Sequence, residues 1–121
     1  MREFAGAPLL DAPPPPEPRF PSIAARELRK IAWERCGIIR SGEELAQTCE
    51  RLGRIALEPS AHPNRELFEL RSIHTAISIV ARCGLAREES RGAHFRTDCP
   101  TPRVEFQKHS AVDKDHDVTF E

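Results

Sequence analysis

Apolar residues recur at helical spacing in three separate stretches of this chain. In the first, Ala24, Leu28, Ile31 and Ala32 share one face of a helix predicted over Ser22–Cys36, with Ser22 as its N-cap and Gly37 as its stop. The second opens on Ser41-Gly-Glu-Glu44, the pattern of a capping box, and then places Leu45, Cys49, Leu52 and Ala56 on one face before Pro59 closes it. The third starts near Asn64, carries Leu67, Leu70, Ile73, Ile77, Val80 and Cys83 on one stripe, and is predicted to run to about Ser90. Phe68, Ala76, Ala81 and Leu85 widen that stripe, and Gly84 inside it signals either a close approach of another element or an early helix end.

Short connections, Gly37–Arg40 and Glu58–Pro63, favour antiparallel neighbours. The expected fold is therefore all-α, an antiparallel three-helix bundle over residues 22–92. A Pro-rich linker over residues 1–21 is expected before it, and an irregular loop and tail of the same domain, residues 93–121, after it. Seven of the eleven prolines lie between Pro8 and Pro21, and a run such as Pro13–Pro16 favours extended polyproline geometry over helix or inner strand. In the tail, Asp117-Val-Thr-Phe-Glu121 alternates like a short strand, which needs a partner to be stable.

Composition narrows the function. With 121 residues, 31% of them charged, and a net charge of -1, the chain carries no basic footprint for nucleic acid and no basic run for an anionic membrane. No apolar run approaches the roughly 20 residues of a membrane span, and the amino terminus lacks a signal-peptide apolar region, so a cytoplasmic location is expected. Cys36, Cys49, Cys83 and Cys99 are widely spaced and read as reduced thiols.

Sites of chemistry are sparse. The chain contains neither G-x-G-x-x-G nor G-x-x-x-x-G-K-[ST], so it holds no phosphate cradle of its own. Its histidines and cysteines show no metal-ligand spacing, and no metal site is expected. A Cys99–His94 pair is explained by chance, His74 reads as a structural imidazole, and Trp33 as a packing or interface residue. No catalytic and no cofactor-binding residue is assigned.

The exception is Arg87-Glu-Glu-Ser-Arg-Gly-Ala-His-Phe-Arg-Thr-Asp98, which crowds arginines, a histidine and an acid into a helix-exit turn. Either Asp98 pairs with Arg91 or Arg96 to lock the turn internally, or the segment faces a partner; the residues alone weigh these equally.

Glu89-Ser-Arg-Gly-Ala-His-Phe-Arg-Thr-Asp98, followed by Pro100 and Lys108-His-Ser110, resembles the C-terminal signature of the L-aspartate oxidases and of the related succinate dehydrogenase and fumarate reductase flavoproteins. Leu28–Ser41 and Leu67–Ser72 resemble the same domain, so the likeness covers about Ser22 to Ser110. Ile38-Ile-Arg-Ser41, the short loop after Asp98 and Val118-Thr-Phe-Glu121 are most similar to the aspartate oxidase branch. Cys99 departs from the pattern, which has an aromatic residue there.

The resemblance implies a parent enzyme that uses FAD to oxidise L-aspartate to iminoaspartate, passing electrons to oxygen or fumarate in the route to quinolinate and NAD. In that family the flavin-binding and capping domains precede this one and supply the flavin fingerprint and the substrate residues. The chain alone is then expected to be noncatalytic and to bind no cofactor. Ser90, Arg91, Gly92, His94, Arg96 and Asp98 carry over only as a domain-docking element. The succinate dehydrogenase or fumarate reductase branch would add an iron–sulfur subunit as partner, and a free-standing helical interaction module is the reading from another class. Removal of docked domains would leave exposed apolar surface, with weak self-association or marginal stability.

Overall fold

A computed structural model describes residues 13–121; the first part of the expected linker, residues 1–12, lies outside the described residues. The elements follow in the order β1 (Arg19–Pro21), α1 (Ala25–Arg35), β2 (Ile39–Arg40), α2 (Gly42–Arg54), β3 (Leu57–Pro59), α3 (Arg65–Ala86), β4 (Phe95–Arg96), a 3-10 turn (Val104–Phe106), β5 (Ser110–Ala111) and β6 (Thr119–Phe120).

Three helices share one core, as the three apolar stripes predict. Leu28 and Ile31 enter it from α1, Leu45 and Leu52 from α2, and Leu70, Ile77 and Ala81 from α3. Removing each larger side chain from water is worth about 1.5–3 kcal/mol. With few such residues, the domain depends on its polar network as well.

The fold is mostly helical, as expected, but three small two-stranded sheets add to the helices among the described residues. β1 pairs antiparallel with β3, β2 pairs parallel with β4, and β5 pairs antiparallel with β6. Ser110–Ala111 thus supplies the partner that the alternation near Asp117–Glu121 calls for. The first sheet corrects two expectations. Arg19–Pro21, expected as the end of the linker, is a strand, and Phe20 is buried against Phe68 in an edge-to-face pair with centroids 5.0 Å apart. Ser22 is not an N-cap: its amide donates to the Ala56 carbonyl at 2.8 Å, so the chain is still paired there, and α1 begins three residues later behind an uncapped Ala24.

Ser41 does cap α2, accepting the Glu44 amide at 3.2 Å, but the Glu44 carboxylate pairs with Arg35 at 2.8 Å instead of closing the box. Ala56 falls outside α2 and is exposed, and Pro59 lies in β3. Asn64 caps α3, accepting the Leu67 amide at 2.9 Å. α3 ends at Ala86, not near Ser90, and the buried Gly84 marks a close approach. A Cβ there would stand 3.3 Å from the Arg40 guanidinium and 3.4 Å from the Leu45 side chain. His74 is the structural imidazole expected, bonded to the Leu52 carbonyl at 3.0 Å.

Candidate functional site

The polar segment after α3 folds into a turn whose charges are spent on this chain. Gly92, with φ of 59°, is a glycine with left-handed backbone at the first central position of a two-residue turn. Arg91 and His94 exchange backbone hydrogen bonds of 2.8 and 3.0 Å across it, the φ pattern of a type II′ hairpin turn. That turn sends β4 back beside β2.

Arg96, 4% exposed, is the centre of the arrangement. One nitrogen donates to the Leu85 carbonyl at 2.8 Å and, more weakly, to those of Gly84 and Arg87, which are carbonyls that the end of α3 leaves without helical partners. Its other edge grips Asp98 through two bonds of 3.0 and 2.5 Å. Asp98 in turn accepts the amide of Gly42, the first residue of α2, at 3.1 Å. The cation therefore meets the negative end of one helix dipole and the anion the positive end of the other. The Arg96 guanidinium beside Asp98, helped by the Gly42 amide and opposed by burial, holds that carboxyl at about 2.

Glu89 is the second centre and has no solvent exposure. It accepts both donors of Arg91 at 3.0 and 3.1 Å, the Arg87 guanidinium at 2.6 Å and the Arg103 amide at 2.7 Å. The paired Arg91 guanidinium, then the Arg103 amide and Arg87, outweigh burial and hold this carboxyl at about 2. Arg87 extends the network to the tail, donating to the carbonyls of Phe106 and Lys108 at 2.6 and 2.5 Å and to the Ser110 hydroxyl at 3.1 Å. Ser90, also buried, donates to the Cys99 carbonyl at 2.7 Å and accepts the Arg96 amide at 2.9 Å.

The neighbours of His94 define its proton. Arg40 donates to Nδ1 at 2.8 Å, and the Arg87 carbonyl stands 3.0 Å from Nε2. A guanidinium can only donate and a carbonyl can only accept, so the ring is neutral with its hydrogen on Nε2. Burial pushes its pKa down, and the Arg40 charge adds to that against the opposing bond to the Arg87 carbonyl. Both nitrogens are committed, and none is left to activate Cys99.

Ser90, Arg91, Gly92, His94, Arg96 and Asp98 are thus brought together in one network. Of the two partners named for Asp98, Arg96 is the one used, and Arg91 serves Glu89. Sequence reading missed Arg40, Gly42, Glu89 and Arg103. Gly42 stood inside a capping pattern that explained it too easily. Glu89 offered a usable signal, an acid within reach of several arginines along the chain.

The described residues do not fit a flavin. The α2 amino terminus is occupied by Asp98, and the cleft of about 590 Å³ beside the turn is lined by Arg87 and Arg91, whose guanidinium groups are held by Glu89 and by backbone carbonyls. No group of three metal-ligating side chains converges among the described residues, and no helix among them is long and apolar enough to cross a membrane.

A helical bundle whose exit turn carries this interlocked signature defines a class. The chain belongs to the C-terminal domains of the fumarate reductase flavoproteins, whose family model matches residues 25–121. Within that class it is similar to L-aspartate oxidases. It is 37% identical over 84 residues to that of Pyrococcus furiosus, covering 69% of this chain and 16% of the relative. It is 38% identical over 90 residues to that of Rhodospirillum rubrum, covering 74% and 30%. A protein of Methanocaldococcus jannaschii named as an FAD-dependent oxidoreductase is 31% identical over 87 residues, covering 67% and 16%. The chain therefore spans 16 to 30% of the length of these relatives. No solved structure matches.

Proposed function

We propose that this chain is the C-terminal domain of an FAD-dependent L-aspartate oxidase, a cytoplasmic enzyme that oxidises L-aspartate to iminoaspartate on the route to NAD. The observation that carries this reading is the run of L-aspartate oxidases among its relatives, several at 30% identity or more. FAD, substrate and proton transfer then belong to the flavin-binding and capping domains, and this chain contributes no reacting group. Its part is structural: the network of Ser90, Arg91, Gly92, His94, Arg96 and Asp98 fixes the domain so that it docks on the others.

The test is to purify the chain, add FAD and record the visible spectrum, then assay aspartate-dependent peroxide release with and without flavin-binding and capping domains supplied. Turnover only with those domains supports the reading; flavin binding or turnover by the chain alone overturns it. The family description itself favours a second reading, the succinate dehydrogenase or fumarate reductase branch with an iron–sulfur partner. Fumarate reduction without aspartate oxidation in the complemented assay would select it.

A further inference from the structure

The β2–β4 pair is parallel, two residues long on each side, and has no third strand among the described residues. Parallel pairs occur almost only where both faces are covered. Here one face is. Arg40 and Arg96 turn inward to His94 and Asp98, while the residues that alternate with them, Ile39 and Phe95, are register partners 71% and 40% exposed.

More apolar surface lies at the same end of α1. Ile38, whose carbonyl receives the Phe95 amide, is 62% exposed. Trp33, in the last turn of α1, is 85% exposed, so the described residues leave it largely uncovered. Single exposed apolar residues are ordinary; Ile38, Ile39 and Phe95, joined on one ribbon that expects a second layer, are a patch, and Trp33 comes five residues before Ile38 along the chain. Tryptophan and phenylalanine are also the residue types that anchor buried interfaces.

What covers the patch follows from the relatives. The family's domain is by description C-terminal, and the chain spans only 16 to 30% of the relatives' length, so most of such a polypeptide precedes it. We propose that Trp33, Ile38, Ile39 and Phe95 form the surface on which the flavin-binding body of the parent flavoprotein seats, through an apolar strip of its own. The inference rests on the reading under Proposed function and changes its detail: Ser90, Arg96 and Asp98 stand behind the surface as its support. Ser90 and Arg96 are buried and bonded within the chain, and Asp98 grips Arg96 from the solvent side, so the ribbon is held in shape before the partner arrives, which lowers the ordering cost of docking.

The test splices the full 121-residue chain in place of the matching C-terminal segment of the Pyrococcus furiosus L-aspartate oxidase. Thermal release of flavin is followed by its fluorescence. Trp33→Ser, Ile39→Ser and Phe95→Ser together are expected to lower the chimera's midpoint by about 5 °C or more. The same three changes should move the unfolding midpoint of the 121-residue chain alone much less, since Trp33 and Ile39 are 85% and 71% exposed there and only Phe95, 40% exposed, gives up covered surface. Val104→Ser, at an exposed position away from the ribbon, is the control and should be silent in both.

A flavin-loaded chimera indifferent to the triple change overturns the docking surface and leaves the family reading intact. A chimera that never retains flavin, even unaltered, overturns the oxidase reading and the surface with it. Should the isolated chain form a dimer that Ile39→Ser disperses, the face belongs to a second copy and the proposal is wrong.

Discussion

Arg96 and Asp98 stand two residues apart and together join the end of α3 to the start of α2, bonded to each other at 3.0 and 2.5 Å. Replacing the arginine therefore strips carbonyls at one helix end and leaves a carboxylate without its counterion at the other. Arg96→Met is expected to cost about 2–3 kcal/mol, mostly from the carbonyls left unpaired at the end of α3, because Asp98 is 43% exposed and water screens its lost counterion. Arg96→Lys should recover little, because a single ammonium cannot span Asp98 and the Leu85 carbonyl at once. Urea unfolding followed by circular dichroism decides this. A lysine variant within about 1 kcal/mol of the parent would show that charge, not the planar fork, is what the site needs.

Glu89 ties the turn to the tail. Glu89→Gln keeps the shape but leaves Arg87 and Arg91 without their shared counterion, at an expected cost of about 3 kcal/mol. The effect should spread along Arg87, which holds the Phe106 and Lys108 carbonyls and the Ser110 hydroxyl. Hydrogen exchange at the His109 and Glu121 amides, which bond each other's carbonyls at 2.9 Å, is the readout. Faster exchange there than in the α2 core is expected, and a uniform change across the chain would contradict the coupling.

Two glycines of the same helix should respond in opposite directions. At Gly42 a Cβ would overlap the Arg96 guanidinium and stand 2.7 Å from the Asp98 carboxylate. Arg96 is fixed by its other bonds and has no room to retreat, so Gly42→Ala is expected to destabilise by about 2 kcal/mol or more. Gly53 has nothing within 4 Å of that position, and Gly53→Ala should stabilise by about 0.5–1 kcal/mol through helix propensity and a less flexible unfolded chain. Thermal midpoints of the two variants settle the contrast.

These positions also show where sequence reading succeeds. Leu28, Leu45, Leu52, Leu70 and Ile77 were legible as core because burial repeats with the helical period. Ser41 was legible as a cap, and Asn64 as the start of the third helix, because a helix start is a local pattern a few residues long. Ser22 was misread by the same rule, because its amide is claimed by Ala56, 34 residues away, and no local pattern reports that. Two-residue strands such as Ile39–Arg40 are likewise shorter than any period that could announce them. Within the polar turn, crowding of charge was visible, but the assignment of Arg91 to Glu89 and of Arg96 to Asp98 depends on where α2 begins. That placement is tertiary.

Acid should unfold this domain in two stages, and the sign at each group fixes the order. His94 has a folded pKa below its ordinary 6.5, so the unfolded chain binds the proton first. Its contribution is whole above pH 6.5 and is lost as pH falls from there toward the lowered value. Protonation would aim a second N–H at the Arg40 guanidinium, with Arg87 and Arg96 also nearby, so the ring gains a like charge and loses an acceptor. Glu89 and Asp98 act lower. Their folded values of about 2 lie beneath ordinary values of 4.5 and 3.8, so their contribution is complete above pH 4.5 and disappears as pH falls through that interval to about 2. His94→Gln can accept from Arg40 or donate to the Arg87 carbonyl without titrating, and it should flatten the first stage only. Stability measured in urea at half-unit steps from pH 8 to pH 3 checks this. A first stage that survives in His94→Gln would assign the loss to another group.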